Sequence, residues 1–539
     1  MKAVLALLLT AATLAIYLYG AHGFALADPD EARYGEMARE MIDSGDWVTP
    51  RLNHVKYFEK PPLVYWATAL SILTFGPSEL AVRVPTLLAG LVTLLLTALL
   101  ARRLYGAWTA LLAAAILAAA PLFAFMAVIL TLDMSLTVFV TAALFAVWRA
   151  WSGGGDRRWV RVAYAATALG ILVKGPVAVV LVGGPTLLFL LPHGGWRALR
   201  PWFDWRALAL AAAITLPWFL LVGWRNPEFW HYFLVDQNFH RYTETKEHGE
   251  PIWFFGPVVL GGLAPWSLAL AFDPRGLRGA LDPRTWTPAT RFLAIWAAAI
   301  LLFFSLSISK LATYAVPALP PLAILLARAL LWGIERGRVV GLTRAAWMLL
   351  VGGPILGLVA AILPFVSDHY RVPIVVPYLF AGAALLVVCG FVTLRQLAAQ
   401  RPYAALVAFA ASWMVVLALA FGGRGIANEY SDLARRARGE MRPGDRLVLY
   451  QNFVQSMVYN SGERWVMVGN PGEMTFGSQQ GDQSAWFWNN DEFLRQWSGP
   501  GRMLVLFNRN HIERLGNKLD PPPIVLATKD KKVLAANRE

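Results

Sequence analysis

The chain has 539 residues, of which 57% are apolar and only 15% charged, with a mean hydropathy of +0.50. A soluble domain carries about 25% charged residues, so disorder, a small disulfide-stapled secreted domain and a large cytosolic enzyme are excluded. The single cysteine, Cys389, rules out an intrachain disulfide or a CxxC site, and a net charge of +14 held by arginines between apolar stretches points to membrane topology rather than nucleic acid.

A helix crosses the hydrocarbon core with about 20 apolar residues. Thirteen candidate spans follow in chain order, near 3–23, 81–101, 107–124, 134–150, 162–173, 177–191, 207–224, 255–272, 292–309, 313–332, 345–366, 373–393 and 403–421. The first, with Lys2 ahead and Ala25-Leu26-Ala27 behind, has the outline of a signal peptide; its length and the spans that follow favour an uncleaved helix. Alternate short connections carry Arg102, Arg103; Arg149, Arg157, Arg158, Arg161; Arg197, Arg200, Arg206; Arg275, Arg278, Arg284, Arg291; Arg336, Arg338, Arg344; and Arg395, Arg401. Against these eighteen, the intervening connections hold three basic residues, Lys174, Lys310 and Arg371. The positive-inside rule then puts the N-terminus in the cytoplasm, and 24–80, 225–254 and the C-terminal tail outside.

From Gly422 onward polar residues return, with short β-like runs at 446–450, 464–468, 503–507 and 524–527 among Gly, Pro and Asn. About 115 residues suffice for one small domain. The expected fold is a polytopic α-helical membrane protein of about thirteen transmembrane helices. Residues 1–421 form the membrane domain, with external loops 24–80 and 225–254, and 422–539 form an external α/β domain.

Chemistry is expected where polar residues crowd beside apolar spans. Residues 28–62 read DPDEARYGEMAREMIDSGDWVTPRLNHVKYFEKPP. Asp28 as cap, Pro29 at the first helical position and Glu31 three after the cap predict a helix start. Tyr34, Met37, Ala38 and Met41 then follow at helical spacing, predicting a short amphipathic helix on the membrane surface that ends at Ser44-Gly45-Asp46. Carboxylates suit the first turn of any helix, which is the plain account of Asp30 and Glu31. The second half of the loop adds Tyr57, Glu59 and Lys60 immediately before Pro61-Pro62 and an apolar helix from Leu63. Pro61 biases Lys60 toward extended backbone. An ammonium beside a helix N-terminus suits a phosphate, although a lysine at a membrane edge also snorkels.

With these residues in view, DPDEARYGEMAREMIDSGDWVTPRLN followed by KYFEKPPL resembles the first periplasmic loop of the lipid A aminoarabinose transferases. These belong to the wider GT-C group of polyprenyl-phosphate-sugar glycosyltransferases, which includes the protein O-mannosyltransferases. The resemblance implies an inverting pentosyltransferase that moves 4-amino-4-deoxy-L-arabinose from undecaprenyl phosphate to lipid A phosphates at the periplasmic side of the bacterial inner membrane, conferring polymyxin resistance. It implies Asp30 as catalytic acid and Asp133, in Leu130-Thr131-Leu132-Asp133, as a second family acid. It places Lys60, Arg33, Tyr34 and Tyr57 at the lipid phosphate. Ser307 to Pro317 matches the family's K-x-x-x-Y-x-x-P turn, implying roles for Lys310 and Tyr314, which share a face if helical. Arg241 in the loop 225–254 is a further phosphate candidate, and Lys174 at a tight external turn a headgroup contact. Glu31 and Glu59 are further loop acids. Glu59, His231, His240 and His248 are the metal candidates, without a recognised ligand spacing.

Breaking the bond to a polyprenyl phosphate develops negative charge on the leaving oxygen, which Lys60, Arg33 and Tyr314 suit, and positive charge at the anomeric carbon, which a carboxylate suits. With a phosphate acceptor, already anionic, Asp30 positions or stabilises charge; with a serine hydroxyl it serves as base. No P-loop or GxGxxG motif is present, which fits a lipid-linked donor, no required cofactor, and membrane lipid rather than nucleic acid or a protein as partner. The alternatives are a polyprenyl-phosphate-sugar-dependent protein O-glycosyltransferase and a lipid transporter; transporters keep polar sites near the midplane.

Overall fold

The computed structural model describes residues 2–240, 249–271, 273–366, 372–423 and 430–539, without the side chains of 238–240, 280, 372–374 and 517. Of the residues named above, Arg241, His248 and Arg371 lie outside the described residues, as does the side chain of His240. The chain forms two compact units. One comprises Met1–Gly23, Arg83–Leu220 and Phe233–Ala427; the other comprises Phe24–Val82, Leu221–Tyr232 and Asn428–Glu539. The division therefore does not follow a linear cut at 421/422, because the first loop folds with the C-terminal residues.

The first unit is helical and belongs to a multi-pass membrane protein. Ten helices of the described chain are long and apolar enough to cross a membrane, eleven if the bent pair Ala107–Ala119 and Pro121–Val128 is one span. The two other expected segments differ in form. Residues 162–173 lie in Arg157–Lys174, an 18-residue helix that begins with charged residues, and 255–272 contains two short helices, Phe255–Gly262 and Trp266–Ala271. Large apolar side chains such as Leu8, Leu95, Leu358 and Phe365 are exposed, as lipid-facing positions require. The bent pair turns by 66° at Pro121, which has no N–H to continue the ladder. The carbonyls freed there are used: Tyr17 Oη donates to Ala118 O at 2.9 Å and Trp413 Nε1 to Ala119 O at 2.9 Å. In hydrocarbon an unpaired carbonyl costs several kcal/mol, so these two bonds make the kink tolerable.

The second unit is built on a six-stranded sheet. Strands β1 (Arg51–Leu52) and β2 (Val55–Lys56) form a separate hairpin; β3 (Arg446–Tyr450), β4 (Val466–Val468), β5 (Phe487–Trp488), β6 (Met503–Asn508), β7 (Ile524–Lys529) and β8 (Lys532–Ala536) form the sheet in the order β5-β4-β3-β6-β8-β7. The first four run parallel, and β8 and β7 add antiparallel. Helices Ser431–Glu440, Gln455–Ser461, Asn490–Ser498 and Arg509–Leu515 complete an α/β domain. Its core packs Val448, Val466, Trp488, Phe493, Trp497 and Phe507. The four expected runs correspond to β3, β4, β6 and β7; β5 and β8 were not expected.

The hairpin turns at Asn53 and His54, both with positive φ, as a two-residue turn of this hand demands. Asn53 Nδ2 donates to Trp465 O at 2.8 Å, and Trp465 N donates to Asn53 Oδ1 at 3.0 Å, beside β4. Reciprocal bonds of this kind satisfy buried backbone at both ends and bind the first loop to the sheet domain. The segment Leu221–Tyr232 joins the same body through Asn226 Nδ2, which donates to Thr49 Oγ1 at 3.0 Å, and Lys56, which pairs with Glu228 at 2.5 Å.

Candidate active site

The helix expected after Asp28 runs from Asp30 to Ser44, and Gly45 at φ 68° ends it in the left-handed conformation, which glycine adopts without steric cost. Two details differ from expectation. Pro29 stands at the cap position with no side-chain cap bond. The Asp28 carboxylate instead accepts from Ser456 N at 2.7 Å and Ser456 Oγ at 2.5 Å, because that helix start offers it unpaired donors. Glu31 does reach back, accepting from Ala27 N at 2.9 Å. The second difference is burial: Ala32, Gly35, Glu36, Met37, Ala38, Glu40 and Met41 are all buried, so the helix is an interior element, not a surface amphipath. At Gly35 the packing is tight: a Cβ would stand 3.1 Å from the Tyr459 ring. The buried acids are matched: Glu36 pairs with Arg39 at 2.5 Å, and Glu40 accepts from His54 N at 3.0 Å.

This burial organises the loop's polar residues around one guanidinium. Arg33 is 9% exposed; its Nη2 pairs with Asp30 Oδ1 and its Nη1 with Glu473 Oε2. Nη1 also donates to Tyr57 Oη at 3.3 Å, and the guanidinium lies 5.0 Å from the Tyr34 ring centroid. Its Nε is buried with no hydrogen-bond partner among the described residues. Burial opposes the Arg33 charge, yet the surrounding tyrosines and acids hold its pKa above the ordinary value. Burial pushes the Glu473 carboxyl up, with Arg33 opposing, and raises the phenols of Tyr34 and Tyr57, so both are O–H donors at neutral pH. Asp30, by contrast, has a side chain 45% exposed while it pairs with Arg33.

Glu59 and Lys60 follow Tyr57 in the chain, and Lys60 Nζ donates to Glu59 O at 2.9 Å. The helix Leu63–Phe75 begins just past Pro62, as expected. It supplies Tyr65, fully buried, 5.7 Å from the Tyr34 ring and with its Oη unpartnered among the described residues. Sequence reasoning missed Tyr65, which reads as one more apolar residue of a helix, and Glu473, whose Asn470-Pro471-Gly472-Glu473 turn lies some 400 residues from the loop it meets and carries no local signal.

The first unit holds a second polar cluster. Asp133 lies in the first turn of Leu132–Ser152 and Lys174 in the last turn of Arg157–Lys174, so each charge suits its helix dipole. They pair at 2.5 Å with side chains 11% and 13% exposed, and the Lys174 ammonium lies 4.4 Å from the Tyr314 ring centroid. The condition under which Lys310 and Tyr314 would share a face, an α-helix through both, is not met. The turn there, Ala312–Ala318, is a 3-10 helix that starts after Lys310, and Lys310 Nζ donates to Glu250 O at 2.7 Å. Of the metal candidates, Glu59 and the exposed His231 are in the second unit, and no group of three His, Cys, Asp or Glu able to hold a metal occurs among the described residues.

Residues 59–221 match the family model described as dolichyl-phosphate-mannose-protein mannosyltransferase, and residues 433–537 match the aminoarabinose transferase C-terminal domain. The chain is 36% identical over 352 residues to the undecaprenyl phosphate-alpha-4-amino-4-deoxy-L-arabinose arabinosyl transferase of Pseudomonas aeruginosa, covering 64% of this chain and 62% of that protein's length. It is 34% identical over 430 residues to the same-named protein of Pseudomonas paraeruginosa, covering 77% and 76%. Among solved structures it is similar to ArnT from Cupriavidus metallidurans bound to undecaprenyl phosphate, with a TM-score of 0.84, 28% identity and coverage of 99% and 98%. The oligosaccharyltransferase of Archaeoglobus fulgidus, at 13% identity and a TM-score of 0.54 over 96% of this chain and 71% of that one, shares the fold. A match to the aminoarabinose transferase C-terminal domain and a relative of which three quarters is spanned lead to one conclusion: the chain belongs to the aminoarabinose transferase family.

Proposed function

We propose that this chain is a glycosyltransferase that moves 4-amino-4-deoxy-L-arabinose from undecaprenyl phosphate to phosphate groups of lipid A, at the periplasmic face of the bacterial inner membrane. Masking those phosphates with an amino sugar lowers the surface's negative charge and so gives resistance to polymyxin. The observation that carries the reading is Arg33, a buried guanidinium whose Nε has no partner among the described residues, bonded to the Tyr57 hydroxyl, beside the Tyr34 ring and paired with the half-exposed Asp30.

In the transfer, the bond from the anomeric carbon to the donor phosphate oxygen breaks and undecaprenyl phosphate leaves with the electron pair. A bond from that carbon to an oxygen of the acceptor phosphate forms on the opposite face, inverting the centre. Arg33, with Tyr34, Tyr57 and Lys60, stabilises the leaving phosphate; preorganised donors of this kind act most strongly where water is excluded. The Asp30 carboxylate stabilises the oxocarbenium character of the sugar. The acceptor phosphate is anionic near pH 7, so no base is required, and the atoms balance without a redox or nucleotide cofactor. Asp133, Lys174 and Tyr314 form a second charged site suited to a phosphorylated headgroup; Lys310, Glu31 and Glu59 are further polar candidates, and Arg241 is a phosphate candidate from the sequence.

The test is purified protein in nanodiscs given undecaprenyl phosphate-linked aminoarabinose with lipid A or with a serine-rich peptide, and mass spectrometry of the acceptors. Pentosylated lipid A and unmodified peptide are expected. Modified peptide with unmodified lipid A would overturn the assignment.

A further inference from the structure

The sheet domain holds a cleft of about 240 Å³. It lies at the carboxyl ends of β3 and β4, the end where open parallel sheets receive ligands. Its walls are unusual in chemistry. Gln451, Asn452, Gln455 and Asn470 contribute four carboxamides, Phe453 an aromatic ring and Glu473 a carboxylate, and no lysine or arginine among the described residues lines it. A carboxamide both donates and accepts, as a hydroxyl does, so such a wall matches vicinal hydroxyls. An aromatic ring beside them covers the C–H face of a sugar. The Glu473 carboxylate, although paired with Arg33 through one oxygen, offers an acceptor to a hydroxyl or an ammonium.

The cleft is built rather than incidental. Gln451 is held at φ 56°, in the left-handed region, although it is not glycine; backbone of this kind persists where the surroundings over-determine it, often at ligand sites. Its N–H donates to Val468 O at 2.9 Å and its Nε2 to Asn490 Oδ1 at 3.0 Å. Gly469 makes room for it: a Cβ there would stand 2.8 Å from the Gln451 carboxamide. On the other wall Gln455 Nε2 donates to Glu473 Oε1 at 3.0 Å, while Glu473 Oε2 pairs with Arg33. One carboxylate thus joins the Gln455 wall of the cleft to the Arg33 cluster.

We infer that this cleft is a saccharide subsite, taking an amino- or hydroxyl-rich pyranose whose polar groups are read by the four carboxamides and Glu473. The inference deepens the transferase reading and rests on it for the two sugars offered. A pyranose occurs in the donor as an aminopentose and in the acceptor as glucosamine, and the chemistry of the cleft suits both.

The experiment uses full-length protein in nanodiscs, with binding of free 4-amino-4-deoxy-L-arabinose, of glucosamine and of inorganic phosphate followed by saturation-transfer NMR. The variants are Asn470→Ala, at an exposed position, and Gln451→Gly, which removes the carboxamide while suiting the positive φ. Saturable binding of either sugar, weakened at least tenfold by each variant while undecaprenyl phosphate binding is unchanged, supports the subsite; response to the aminopentose alone assigns it to the donor, to glucosamine alone to the acceptor. No saturable sugar binding to the wild type, equal binding in the variants, or competition by inorganic phosphate overturns it. Loss of undecaprenyl phosphate binding by the wild type, with sugar binding intact, would instead count against the transferase reading and leave the cleft standing.

Discussion

Arg33 and Glu473 meet across 440 residues of sequence, and their coupling can be measured. The perturbation is a double-mutant cycle of Arg33→Met and Glu473→Gln, both close in volume to the residues they replace. Arg33 has a side chain 11% exposed and Glu473 one 27% exposed, so the pair is shielded enough for a charge-assisted bond worth about 1.5–3 kcal/mol. Arg33→Met also loses Asp30, whose 45% exposure limits that arm to under about 1 kcal/mol. Together these predict a loss of about 2–4 kcal/mol for Arg33→Met, much of it from stranding Glu473, and about 1–2 kcal/mol for Glu473→Gln, whose carboxamide still accepts from Gln455. The double variant should cost less than the sum by about 1–3 kcal/mol. The assay is denaturant unfolding in mixed micelles, followed by the near-ultraviolet signal of the sheet domain's tryptophans. Additivity within about 0.5 kcal/mol would refute the reasoning, because two residues sharing no buried contact behave that way.

Asp30→Asn should remain folded and membrane-inserted but fail to modify lipid A; unchanged amounts of modified lipid A at matched expression would remove Asp30 from the mechanism. Lys60→Ala should lose undecaprenyl phosphate binding and Lys60→Arg restore it only in part, since an ammonium and a guanidinium differ in reach; full activity of Lys60→Arg would favour simple snorkelling. Lys532, in β8, is lowered by burial from 10.5 to about 8, with Asp28 opposing. A base lowered in the fold contributes stability that is present above pH 10.5 and lost as pH falls through about 8, so melting temperature should fall over that window, and Lys532→Met should flatten it by up to about 3 kcal/mol. Gly35→Ala should destabilise by about 1–3 kcal/mol through overpacking against Tyr459, and a melting temperature at or above wild type would show that the helix can shift.

What was legible in the sequence was what depends on local pattern. Apolar length specified most of the membrane helices, Gly45 the end of the acidic helix, Pro61-Pro62 the start of the next, and short β-like runs between Gly, Pro and Asn four strands of the sheet. The composition of the loop, with Asp30, Arg33, Tyr34 and Tyr57 within thirty residues, already marked it as chemical. Local pattern misjudged Asp28, whose capping position in the sequence was overruled by donors on Ser456, and the acidic helix, whose amphipathic spacing concealed burial on nearly every side. It also missed β8: Lys-Val-Leu-Ala-Ala follows a run of charges, yet all five of its residues are buried, because pairing with β6 covers them. Only the tertiary structure decided that Glu473 completes the Arg33 cluster and that Lys174, not Lys310, meets Tyr314. The reason is physical: propensity and periodicity act over a few residues, whereas the partner of a buried charge is whichever group the packed chain brings within about 4 Å, at any separation along the sequence.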